Sequence, residues 1–253
     1  MTSKEQNNLK IAIFSDIHGN LEALNAVVKD IKSKTDIDQI VCLGDLVGYY
    51  PHPIECIEIV REICDIVIQG NHDAAVVSPN FERELKRFND VAASSLNYSR
   101  DLLLKPGNID SYSFLKELKR RGKLLEGKKK ILFVHGTPDK KWEYFLYPYW
   151  LNAPLEEQKI RLDEWLKKWS LIAMGHSHWA FQYENKKRMV INPGSVGQPR
   201  DENPKSSYAI VDVTKTRIIA QNFRIDYDIE KTCKAVLSAG LDKSLCDRIV
   251  QGR

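Results

Sequence analysis

Five short apolar runs in this chain each end on side chains able to ligate a metal or move a proton. Ile11–Phe14 is followed by Ser15-Asp16-Ile17-His18-Gly19-Asn20, and Val41–Leu43 by Gly44-Asp45. Ile66–Gln69 leads into Gly70-Asn71-His72-Asp73, Ile131–Val134 into His135-Gly136, and Leu171–Met174 into Gly175-His176-Ser177-His178. Five of the six histidines belong to this set. Runs this short and this apolar read as buried strands, and open α/β sheets bind ligands outside the carboxyl ends of their strands. Laid side by side, the five runs bring eight polar side chains to one pocket.

The rest of the chain supplies the crossovers such a sheet needs. Behind the possible cap Asn20, Leu24, Val27, Val28 and Ile31 fall at helical spacing. Pro53 suits the first turn of a second helix carrying Ile57, Val60 and Cys64. Strands are expected at Lys10–Phe14, Ile40–Leu43 and Asp65–Gln69. Residues 81–121 read as helical with a break at Pro106–Gly107, and Leu124–Val134 as a hairpin turning at Glu126–Lys130. A helix over 154–169 precedes strands at Leu171–Met174, Phe181–Glu184, Met189–Asn192, Tyr208–Val213 and Arg217–Phe223. A helix near 228–238 and a weakly structured tail follow. The alternation predicts an α/β fold. With no convincing linker, residues 1–253 read as one domain, its core at about 10–224 and a helix and tail at 225–253.

Composition narrows the class. With 43% hydrophobic and 28% charged residues the 253-residue chain is globular rather than disordered. No apolar run approaches the ~20 residues of a membrane span. The first ten residues carry no leader-like apolar stretch. A net charge of +4 is too mild to demand a polyanionic partner, which argues against nucleic acid. Five cysteines with no C-x-x-C pair make neither a disulfide framework nor a thiolate zinc site, and Cys42 should be core. The expectation is a cytoplasmic protein with no membrane contact.

Imidazoles, carboxylates and an amide without a thiolate suit a borderline or hard divalent metal: manganese, iron, zinc, nickel or cobalt. Asp16/His18 and His176/His178 are spaced i, i+2, so in extended chain each pair shares a face about 6–7 Å apart. That reach fits two metals ~3.5–4 Å apart better than one crowded ion. Each fragment alone is a weak signal; their conjunction in order is not.

D-x-H, G-D, G-N-H-D, H-G and G-H-x-H in this order resemble the calcineurin-like metallophosphoesterases. Gly44–Pro51, His135–Pro138 and Asn192–Arg200 resemble their small bacterial and archaeal phosphodiesterase-like members. The resemblance spans about residues 10–224 and implies a four-layer α-β-β-α sandwich of two mixed sheets. It implies that Asp16, His18 and His178 hold one metal, that Asn71, His135 and His176 hold the other, and that Asp45 bridges both with a hydroxide. Two divalent cations, offset by two aspartates and a hydroxide, leave about one positive charge to attract phosphate oxygens. The implied reaction is in-line attack on a phosphoester, most simply a phosphodiester of a small or nucleotide-like alcohol. His72 is then the general acid, or a donor to the phosphoryl oxygen. Gly48 departs from the pattern: several relatives carry there an aspartate that orients the catalytic histidine. Asp73 or a backbone carbonyl is expected to take that role. Tyr50 stands where glycine is commoner and would narrow the entrance.

Residues 142–150 hold six aromatics in nine positions. They read first as a small satellite core or subunit interface, and second as a lid on which a nucleobase stacks, with Tyr144 a candidate contact. Arg200 is a candidate phosphate clamp, or else pairs with Asp201 or Glu202. Lys128–Lys130 and Lys186–Arg188 read as hairpin turns, and His52 as a surface loop residue. Dinucleoside polyphosphate hydrolysis or phosphoprotein dephosphorylation would use the same metals. A non-catalytic module on this fold, as in the retromer subunit, would have lost the catalytic histidine, whereas His72 and all seven ligand positions are present. A homodimer is implied only at family level.

Overall fold

Period-two alternation inside the apolar runs dictates the layering. The computed structural model describes residues 8–145 and 155–253. In β1 (Leu9–Phe14), Ile11 and Ile13 point into one apolar core while Ala12 and Phe14 point into another. In β2 (Gln39–Cys42), Val41 and Cys42 divide in the same way. On the other sheet, β5 (Lys129–Val134) sends Ile131 and Phe133 to the shared core and Leu132 and Val134 outward. Strand β6 (Leu171–Met174) alternates likewise, and β8 (Arg188–Asn192) sends Met189 and Ile191 inward and Val190 outward. A strand apolar on both faces must be covered on both. The shared core therefore lies between two sheets, and each outer face carries helices.

The first sheet runs β10-β9-β1-β2-β3, with β3 at Ile66–Val67, β9 at Ser206–Val213 and β10 at Ile218–Ile225. Strands β1, β2 and β3 are parallel; β9 and β10 are antiparallel additions. The second runs β4-β5-β6-β8-β7, with β4 at Arg121–Glu126 and β7 at Phe181–Asn185. Here β5, β6 and β8 are parallel, flanked by antiparallel edge strands. The fold is thus an α/β sandwich of two mixed sheets flanked by helices.

Helix α1 (Leu21–Lys32) starts at Asn20, whose side chain accepts from Ala23 N–H, and buries Leu24, Val27, Val28 and Ile31 on the first sheet. Helix α2 (Pro53–Ile63) opens on Pro53 at its first turn. Short α3 (Asn71–Val76) and α4 (Phe81–Leu85) lead to α5 (Asp90–Leu103) and α6 (Ile109–Glu117), which complete this layer. Helix α7 (Leu155–Lys168) covers the second sheet with Leu162, Trp165 and Leu166.

Two expectations are corrected. The third strand spans only Ile66–Val67, extended by a single bridge from Ile68 to Lys119. The tail beyond α8 (Ile229–Ser238) is helical: α9 (Ser244–Gln251) packs Leu245, Cys246 and Ile249 against Tyr49, Tyr50 and Val236. An eight-residue helix is marginal alone, so its sequence signal is faint; the tertiary contact stabilises it.

Candidate metal centre

The loops leaving the parallel strands are stitched to one another. Asp16 N–H donates to Gly44 C=O, His18 N–H to Asp45 C=O and Gly19 N–H to Leu46 C=O, at 2.8–2.9 Å. From beyond β8, Val196 and Gly197 N–H donate to Ser15 and Asp16 C=O, at 2.9 Å each. Asp73 accepts from Asp45, Leu46 and Gly70 N–H (2.9, 2.8 and 3.0 Å), fixing the Gly44–Val47 turn. Asp16, His18, Asp45, His176 and His178 all adopt left-handed backbone, with φ from 54° to 69°. Side chains rarely hold that conformation unless their surroundings over-determine it, and such positions cluster at functional sites.

Backbone carbonyls then fix the imidazole tautomers. His18 Nδ1 faces Val47 C=O at 3.0 Å, His135 Nδ1 faces Leu43 C=O at 2.9 Å, and His178 Nδ1 faces Gln198 C=O at 2.6 Å. A carbonyl only accepts, so each Nδ1 carries the hydrogen and each neutral Nε2 presents a lone pair. Yet His18 Nε2 and His178 Nε2 face each other at 3.1 Å. His135 Nε2 lies 3.1 Å from Asn71 Oδ1, 3.1 Å from His176 Nδ1 and 3.2 Å from Asp45 Oδ2. Asp16 Oδ1 and His176 Nε2 are buried without a hydrogen-bond partner. Buried acceptors that face one another call for a cation among them.

Two of the clusters formed are Asp16–His18–His178 and Asp45–His135–His176, in each of which the ligand atoms lie within 4.8 Å of one another. Asp45 Oδ2 reaches toward both, 3.7 Å from His18 Nε2 and 3.2 Å from His135 Nε2. His72 joins His18 and Asp45 in a third group, its backbone N–H donating to Asp45 Oδ1 at 2.8 Å. The donors are nitrogen and oxygen with no thiolate, a set that fits divalent metals of borderline or hard character.

The charges tell the same story. Burial alone would lower the His135 pKa, but the adjoining Asp45 and Asp16 carboxylates raise it to about 9. Without a metal, a proton supplies the missing cation there. Burial holds His18, His176 and His178 well below the usual histidine range and lowers His72 to about 4. Burial raises Asp16, whereas for Asp45 the neighbouring histidines overcome burial and depress it.

Asp73 does not orient His72, because its carboxylate is committed to backbone N–H groups. Among the described residues no carbonyl bonds His72 Nδ1 either: it is buried against Gly48 without a hydrogen-bond partner there. The ring is held by packing, edge-on to His18 (4.7 Å) and Phe88 (4.9 Å) and tilted to Tyr49 (5.0 Å). Tyr50 is not at an entrance. It is fully buried, its hydroxyl accepting from Gln198 Nε2 (3.0 Å) and donating to Leu245 C=O (3.4 Å).

Arg200 is buried and pairs with neither Asp201 nor Glu202 among the described contacts. It donates to Gln198 Oε1 (2.9 Å) and Tyr49 Oη (3.4 Å), and the Tyr144 hydroxyl is bonded to it, while Asp201 is held by Arg224. The Tyr144 ring stacks on His176 at 3.9 Å. Leu146–Trp150, the rest of the aromatic segment, lie outside the described residues. His52 stands before α2, 3.4 Å from Glu55. Sequence reasoning missed Gln198, whose carbonyl sets His178 and whose amide joins Tyr50 and Arg200; only its place in the Asn192–Arg200 motif marked it.

The model of the calcineurin-like phosphoesterase superfamily domain matches residues 9–216. An uncharacterized protein of Methanocaldococcus jannaschii is 35% identical over 96% of this chain and 98% of its own length. The crystal structure of a metallophosphoesterase from Sphaerobacter thermophilus superposes with a TM-score of 0.73 at 31% identity, covering 98% of this chain and 100% of that one. A hypothetical protein from Pyrococcus horikoshii shares the fold, with a TM-score of 0.83 at 20% identity over 97% of this chain and 99% of that one. The matched stretch carries strands β1 to β9 and every loop that feeds the cluster, and by it the chain belongs to the calcineurin-like phosphoesterase superfamily.

Proposed function

We propose that this chain is a two-metal phosphodiesterase acting on small or nucleotide-like phosphoesters. The observation that carries the reading is the pair of tautomer-locked imidazole clusters whose lone pairs converge on one another and on two buried aspartates. Asp16, His18 and His178 would hold one ion, Asn71, His135 and His176 the other, and Asp45 would serve both. Divalent cations there, manganese first in expectation, supply a nucleophilic water at neutral pH and positive charge for phosphoryl oxygens.

The protein's own groups do the rest. His72 lines the adjoining cleft with Asn71 and His176. At its depressed pKa the ring is neutral and donates one N–H to a phosphoryl or leaving oxygen. A bound phosphate's negative charge raises that pKa and lets the ring pass a proton to a departing alkoxide. Arg200 adds fixed positive charge, which adds to the effect of burial in lowering the pKa of His72, His176 and His178.

A symmetrical bis(5'-nucleosyl)-tetraphosphatase of Psychromonas ingrahamii is 35% identical over 63 residues, 24% of this chain, which supports nucleoside polyphosphates as a second substrate class. The test is hydrolysis of bis-p-nitrophenyl phosphate by metal-stripped protein before and after Mn²⁺, with metal counted per chain and p-nitrophenyl phosphate as the monoester control. Metal-dependent diester cleavage at two ions per chain is expected. Two bound ions without turnover of any phosphoester would leave a binding module instead.

A further inference from the structure

The described part of the aromatic segment divides three ways. Phe145 is buried beneath α7, and Tyr144 lies on His176. Trp142 is half-buried and belongs to none of the four apolar cores of the described residues. It is nonetheless held firmly. Its φ is +57°, and a Cβ on Gly136 would come within 2.4 Å of its backbone nitrogen. The loop around it is stapled by Arg161, which pairs with both Asp139 and Glu143, and by Thr137 Oγ1, 2.9 Å from each of those carboxylates. Among the described residues this indole is strained, tethered and outside every core, and strained positions cluster at functional sites.

The cleft beside it supplies one. A cavity of about 210 Å³ is lined by Asn71, His72 and His176 of the candidate metal centre and also by Phe88, Arg87 and Trp142. Around the indole stand three cations: Lys141 at 4.5 Å, Arg120 at 5.5 Å and Arg87 at 6.0 Å from the ring. Indole and phenyl faces take a planar π system, and cations clustered beside them take an anion. Arg87 is paired with Glu84 at 3.2 Å, whereas no ion pair of Arg120 or Lys141 is seen among the described residues; an uncharged aryl alcohol would leave those two without a counter-charge, and an acidic peptide would leave the rings unused. The cavity is also below the ~300–1,000 Å³ of a site that encloses a drug-sized ligand, so it admits one planar arm and leaves the charged remainder at the rim.

We propose that Trp142, Phe88 and Arg87 form a nucleotide subsite: the base of a nucleotidyl phosphoester lies against the indole while its phosphate reaches the metal centre. Arg120 and Lys141 line a second cavity, which borders the same indole and reaches His135, and favour substrates bearing a further phosphate. This rests on the phosphoesterase reading above.

Calorimetric titration of the manganese-loaded full chain tests it, using two non-hydrolysable probes. One is the phosphonate analogue of adenosine monophosphate, the other methylphosphonate. The nucleotide should bind at least about tenfold tighter, the worth of one stacked base. Trp142→Ala should remove that advantage without changing methylphosphonate affinity, and Trp142→Phe should restore part of it. Arg87→Ala, at an exposed side chain, should weaken the nucleotide alone and reduce its salt dependence. Thermal melts identify any variant that fails to fold, in which case the Arg87 result decides. Equal affinity of both probes for the unmodified chain overturns the subsite while leaving the phosphoesterase reading intact, as does an equal loss of both in Trp142→Ala. Absence of methylphosphonate binding together with no manganese-dependent turnover removes that reading and the subsite with it.

Discussion

Gly48 is where a single added carbon should separate His72's chemistry from the metal ligands. The glycine lies at φ +87°, and a Cβ there would meet His72 Nδ1 at 2.4 Å, against at least 3.4 Å for ordinary contact. In Gly48→Ala the ring must therefore retreat by about 1 Å. It has little room, with His18 and Phe88 edge-on to it at 4.7 and 4.9 Å. A misplacement of about 1 Å at a reacting group costs on the order of a hundredfold in rate. Left-handed backbone costs alanine about 1–2 kcal/mol, which at this chain length lowers Tm by about 2–8 °C. The assay compares two diesters. A dinucleoside monophosphate expels an alkoxide that needs a proton, so its kcat should fall about a hundredfold. Bis-p-nitrophenyl phosphate expels a stable phenolate and should suffer much less. Metal content should stay unchanged, because the three atoms nearest the new methyl group all belong to His72, which is not one of the seven candidate ligands. Unchanged kcat on both diesters in a folded variant would refute the positioning argument. Equal losses on both, accompanied by lost metal, would show that the damage lies in the ligand set.

Three further outcomes follow from the same contacts. His135, with its pKa raised to about 9, must lose its proton to take a metal, so apparent metal affinity should rise about tenfold per pH unit up to about pH 9. One proton should be released per chain, measurable by calorimetry in buffers of different ionisation enthalpy; a pH-independent affinity would contradict the raised His135 pKa. Asp73→Ala strands three buried N–H donors at about 1–3 kcal/mol each, so urea denaturation should show a loss of at least about 3 kcal/mol. Asp73→Asn, which keeps one accepting oxygen, should fall between, and a loss under about 1 kcal/mol for the alanine variant would mean that water replaces the carboxylate. Tyr50→Phe leaves the buried Gln198 amide without its partner and should lower stability by about 1–3 kcal/mol, read as a Tm shift; no shift would mean that the Tyr50–Gln198 bond contributes nothing.

Local pattern and tertiary partnership divide this molecule clearly. Alternation along Ile11–Phe14, Ile131–Val134 and Leu171–Met174 marked strands that must be covered on both faces, and so the layers. Glycine and polar residues straight after those runs marked where the chain leaves the sheet. For that reason Asp16, Asp45, Asn71, His135 and His176 were legible as a group: a strand's end is a local property, and parallel strands place their ends together. Helix α9 was not legible, because eight residues nucleate poorly and only Tyr49, Tyr50 and Val236 give them a surface. Nor was the fate of Asp73, whose neighbours in sequence make a carboxylate beside a histidine look like its partner, while the fold commits it to the turn at Gly44–Val47. The imidazole tautomers needed carbonyls of Val47, Leu43 and Gln198, which lie 29, 92 and 20 residues from the histidines they orient. The sequence by itself determined which residues leave the sheet edges and what chemistry they carry. Only the packing of one loop on another decided which nitrogen holds a hydrogen, which carboxylate is free and which aromatic ring stands outside the core, because each is a hydrogen bond or contact between segments distant in the chain.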